Sequence, residues 1–142
     1  MDYRYACTQK APVKIKVPRD ITIIRPPACI PSGISEFFGR TGVWYGRWKS
    51  PQVKGGYEAL LIVREIKNAS EAQIVYVVPD YPEWYASALQ WESTGTFTTR
   101  SDWKLVLRVP YSPSATTIDF WMEGIMYGRY LRCDITLNPF GS

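Results

Sequence analysis

The chain has 142 residues, 46% of them hydrophobic and 15% aromatic, with six Trp and ten Tyr, which is the composition of one folded domain around a single core and excludes a disordered chain. The net charge is +4, but its 17 basic residues are spread along the sequence, which predicts a solvated surface and no specific nucleic-acid binding, since that needs a clustered basic stripe. There is no histidine, no Cys-x-x-Cys pair and no apolar run of membrane-spanning length, so a histidine triad is excluded and neither a metal, a cofactor nor a membrane span is expected.

Residues 1–41 carry five of the eleven prolines and two short strand candidates, Val13 to Val17 and Ile21 to Ile24. This predicts a Pro-rich N-terminal arm packed on the domain that occupies residues 42–142, not a domain of its own. The stretch Met1 to Lys16 lacks the apolar core of a signal peptide, so an extracytoplasmic or secreted location is expected only if the N-terminus is processed. Cys7 and Cys29 lie in the arm and Cys133 lies far downstream. Either a bridge, with Cys7 and Cys29 the first choice, or three free thiols fits that spacing. Ser35-Glu36-Phe37-Phe38 predicts one helical turn ending at Gly39, with its two phenylalanines plugging a barrel end.

From Gly42 onward the candidates follow one another at the close spacing of an all-β meander. They are Gly42 to Lys49, Gly56 to Ile66, Glu71 to Val78, Glu92 to Arg100, Trp103 to Val109, Ala115 to Glu123 and Ile125 to Leu137. An eighth strand would come from splitting a long candidate or from the arm, giving an antiparallel up-and-down β-barrel of about eight strands. The turn Lys67-Asn68-Ala69-Ser70 contains a glycosylation sequon.

Alternation assigns the faces. Taken as one strand, Ile125 to Leu137 puts Tyr127, Arg129, Leu131, Cys133, Ile135 and Leu137 on the inner side. Likewise Trp103, Leu105, Leu107 and Val109 point inward, as do Ile118, Phe120 and Met122. Gly56 to Ile66 is apolar on both faces, which predicts a cover on its outside. The long connection Pro79 to Trp91 carries Tyr81, Trp84, Tyr85 and Trp91 over a barrel mouth, either as plain core or as the lining of a ligand entrance.

Gly42-Val43-Trp44 at the first strand resembles the Gly-x-Trp signature of the lipocalin and avidin-like superfamily, the calycins. Ser101-Asp102-Trp103 is similar to the Thr-Asp-Tyr element of lipocalins, with Ser for Thr and Trp for Tyr. The run Gly42 to Trp48, with Val63-Arg64-Glu65-Ile66, Val75-Tyr76, Pro82-Glu83-Trp84, and Trp91 before Gly95-Thr96-Phe97, more closely resembles small bacterial lipocalin-like domains. In lipocalins an arginine near the end of the last barrel strand packs over that tryptophan, so the resemblance implies that Arg129 stacks on Trp44 as a structural closure.

Two functions fit. The first is non-catalytic binding of a small apolar or aromatic molecule, with Trp48, Tyr76, Trp84, Trp91, Trp103 and Tyr127 supplying rings and Arg47 or Arg64 orienting an anionic group. The second is an interaction or accessory module with a filled barrel, binding a protein or glycan through surface aromatics. The carboxylate pairs Glu58 with Glu65 and Asp119 with Glu123 would have to carry any acid-base chemistry, and no enzymatic activity is expected.

Overall fold

The computed structural model describes residues 15–50, 53–79, 89–111 and 116–140. Eight strands make a closed antiparallel barrel: β1 (Val43–Ser50), β2 (Val53–Ile66), β3 (Glu71–Val78), β4 (Leu89–Thr99), β5 (Leu105–Pro110), β6 (Thr117–Glu123), β7 (Ile125–Tyr130) and β8 (Cys133–Pro139). Each strand pairs with the next in sequence, and β8 returns to pair with β1, so the up-and-down barrel leaves no free sheet edge. The eighth strand arises by division of the last candidate at Leu131-Arg132. No helix among the described residues is long and apolar enough to cross a membrane.

Before β1 come a short helix, α1 (Ser32–Ser35), and a 3₁₀ turn (Glu36–Phe38). As expected of a plug, Phe37 and Phe38 are buried, and the Phe37 ring meets Phe97 at 5.2 Å in an edge-to-face arrangement. The turn also anchors the first strand, because the Trp44 indole donates Nε1–H to the Phe37 carbonyl at 2.9 Å. Gly39, at φ +68°, lets the chain leave the turn, and a Cβ there would come within 2.6 Å of the Trp44 ring.

Inside, alternate residues of every strand form one apolar cluster that includes Leu61, Ile74, Leu107, Phe120, Met126 and Leu137, all fully buried. Its largest side chains need close backbone neighbours. At Gly128 a Cβ would stand 2.8 Å from both Ile135 and Phe120, so the glycine makes room for that pair.

The two-sided apolarity of β2 has a simple cause. Its inner residues Ala59, Leu61 and Val63 belong to the barrel core, whereas Leu60 and Ile62 join Val43, Val75, Val77 and Ile15 in a second cluster on the outside. Val17, Ile21 and Ile23 pack against that outer cluster, and the Ile24 N–H donates to the Arg64 carbonyl at 2.8 Å. Residues 15–24 thus cover β2, while residues 1–14 of the predicted arm lie outside the described residues.

Candidate functional site: the aromatic end of the barrel

The barrel end opposite the 3₁₀ turn is built from rings. Gly46 and the pleat of β1 bring Trp48 to the inner face directly opposite Tyr57 of β2, and Tyr76 of β3 stands directly opposite Trp91 of β4. The Trp48 Nε1–H donates to the Tyr76 hydroxyl. Tyr76 and Trp91 meet at 4.6 Å between ring centroids, Trp91 and Tyr111 at 5.2 Å, and Tyr111 and Tyr130 at 4.8 Å. The result is a continuous chain of five rings joining β1, β3, β4, β7 and the end of β5. Each such contact contributes about 0.5 to 1.5 kcal/mol beyond the burial of its area. Trp48 and Tyr76 are buried, but Trp91, Tyr111 and Tyr130 are half-buried, so the chain runs from the core toward solvent.

Burial pushes the Tyr76 hydroxyl well above the usual phenol range, opposed by the bond from Trp48, and burial also raises Tyr111. The Trp91 Nε1 atom is buried and has no hydrogen-bond partner. Cys133, a half-buried free thiol, packs against the same core. Cys29 is also free and exposed, whereas Cys7 lies outside the described residues.

Of the residues expected to bind a ligand, Trp48, Tyr76 and Trp91 come together here, and Trp84 lies outside the described residues. The other four are elsewhere. Trp103 sits in the β4–β5 turn at φ +66° and is 88% exposed, because the strand begins only at Leu105. Tyr127 points outward and stacks on Trp121 at 6.1 Å, with the Arg100 guanidinium 4.8 Å over the Trp121 ring. Arg47 also points outward, 3.8 Å from the fully buried Glu58 carboxylate, which accepts a 2.9 Å bond from the Tyr45 hydroxyl as well. Arg64 lies outside too, donating to Glu92 at 2.6 Å and to the Thr22 carbonyl at 3.1 Å. Neither arginine faces the barrel interior, so neither can orient an anionic group there.

The expected stacking of Arg129 on Trp44 does not occur. Arg129 is exposed and bound to Asp134 at 2.8 Å. Asp134 pairs with Arg129, and Trp44 pairs with Pro139, roughly 16 Å further along β8 at about 3.3 Å per residue. Closure is instead carried by the β1–β8 ladder and by Trp44 packing on the 3₁₀ turn. The turn at Leu131-Arg132 resets the pleat, placing Met126, Gly128 and Tyr130 inside and Tyr127 and Arg129 outside. Tyr111 and Tyr130, the two members of the ring chain that alternation missed, would have been found by placing that turn and by extending the Leu105, Leu107, Val109 phase by one step.

Of the carboxylates singled out for acid-base chemistry, Glu58 is fully buried beside Arg47 and Tyr45, whereas Asp119 and Glu123 are paired on the outer surface. Asp119 binds Arg108 at 2.8 and 3.0 Å, and Glu123 binds Lys104, which holds its carboxyl below the usual range. In the turn before β3, the Asn68 side-chain oxygen accepts from the N–H groups of Ser70 and Glu71, and the sequon is exposed. No family model, curated protein or solved structure matches the chain.

Proposed function

We propose that this protein is a non-catalytic binder of a small apolar or aromatic molecule, and that the ligand docks at the aromatic end of the barrel. The observation that carries this reading is the chain of five rings, three of them half-buried, at the end of the barrel opposite the plug. Rings that only fill a core are buried on every side; rings left partly open at a barrel mouth offer flat apolar faces on which a ligand can stack. The similarity of the first strand to lipocalin-like domains supports the same reading. The outward position of Arg47 and Arg64 removes the reason to expect an anionic group on the ligand. Pairing of Asp119 and Glu123 with cations gives those carboxylates a structural role and supports binding over catalysis.

A second reading rests on a separate observation. Trp103 at 88% exposure and the Trp121–Tyr127 stack form an outer aromatic surface that an interaction module would use to hold a protein or glycan. Native mass spectrometry of protein purified without refolding separates the two. A retained small organic mass, lost on denaturation, is the expected result; a bare chain that instead co-purifies with a stoichiometric protein would favour the second reading.

A further inference from the structure

We propose that the ligand is neutral and carries a hydrogen-bond acceptor, a carbonyl or ether oxygen on a flat aromatic body, and that Trp91 Nε1–H is the donor that selects it. This inference rests on the reading of the aromatic end as a binding site and adds to it the chemistry of what is bound. Among the described residues, Trp91 Nε1 is the sole buried side-chain nitrogen or oxygen without a hydrogen-bond partner. The other two buried indoles are both satisfied, Trp44 by the Phe37 carbonyl and Trp48 by the Tyr76 hydroxyl. Native proteins rarely leave such a donor unmet, and an orphaned one calls for a cause.

Its position supplies the cause. The Trp91 ring stands between Tyr76 at 4.6 Å and Tyr111 at 5.2 Å, in the half-buried part of the ring chain. A donor already stripped of water forms a bond with an incoming acceptor without first losing a hydration shell, whereas a plain hydrocarbon at the same place leaves it unmet. Nothing singled out at this end favours an anionic group either, since Arg47, Arg64 and Arg129 all point away from the barrel interior and are engaged by Glu58, Glu92 and Asp134.

A matched pair of fluorescent probes tests this on the full chain. Prodan is a naphthalene with a dimethylamino group and a propionyl ketone; the parent dimethylaminonaphthalene lacks only the ketone. After correction for their partition between water and octanol, the ketone should bind about five- to tenfold more tightly, the effect of one hydrogen bond to a desolvated donor. Its bound emission should lie to the red of its emission in an aprotic solvent of like polarity. Trp91→Phe keeps an apolar ring without the N–H, and should equalise the pair and shift the bound emission to the blue. Equal binding of both probes by the unmodified protein would overturn the inference and leave the binding reading intact. A ketone preference that survives in Trp91→Phe would also overturn it, because another group would then be the donor. Failure of both probes to bind would sink the binding reading itself.

Discussion

At the residue scale, the site is governed by what burial does to polar atoms on aromatic rings. Trp48 and Tyr76 solve the problem for each other, the indole donating and the phenol oxygen accepting. The same burial holds the proton on the Tyr76 hydroxyl above the ordinary phenol value of 10.0, chiefly by desolvation. The consequence for stability follows from proton counting. Below pH 10 both states keep the proton and the contribution is fully present; above it the unfolded chain ionises while the folded chain does not, so stability falls as pH rises. Ultraviolet titration should therefore show some of the ten tyrosines ionising only as the fold is lost. Ionisation of all ten in one step near pH 10, with the circular dichroism of the barrel unchanged, would show that Tyr76 is not buried as described.

At the scale of elements, alternation was a good guide within strands and a poor one across turns. In β5 and β6 it placed Leu107, Val109, Ile118 and Phe120 correctly inside, because those strands are uninterrupted and one face meets the core. Across residues 131–132 it failed, since Leu131-Arg132 carries none of the Asn-Gly or Asp-Gly chemistry that marks a tight hairpin. Running the phase through the turn put Tyr127 and Arg129 inside and hid Tyr130. The arginine stacking suggested by lipocalin likeness depended on that phase and fell with it. Trp103 was misplaced for the same reason, as a turn residue read as a strand residue. The turn itself keeps a trace of the conflict: Leu131 adopts φ +55° and is 65% exposed, a conformation that costs a side chain with a Cβ about 1 to 2 kcal/mol. Leu131→Gly should relieve that cost and, after the greater entropy loss of glycine, stabilise the barrel by about 0.5 to 1 kcal/mol in urea unfolding. A loss of stability of similar size would mean that the Leu131 side chain makes packing contacts that matter.

At the scale of the whole molecule, the two ends of the barrel differ. One is closed by the 3₁₀ turn, with Phe37, Phe38 and Trp44 locked together and a filled apolar core behind them. The other is a graded chain of rings from buried Trp48 to half-buried Tyr130, while residues 15–24 cover the flank of the barrel along β2. On the proposed reading, this asymmetry assigns ligand binding to one end and leaves the closed end and the outer aromatic surface as bystanders. The six tryptophans make it directly measurable, since each has an indole N–H resonance of its own. Titration of nitrogen-labelled protein with Prodan, followed by two-dimensional NMR, should shift the Trp48 and Trp91 indole signals and leave those of Trp44, Trp103 and Trp121 in place. Shifts confined to Trp103 and Trp121, on the outer surface, would contradict the account and move the binding function to the outside of the barrel.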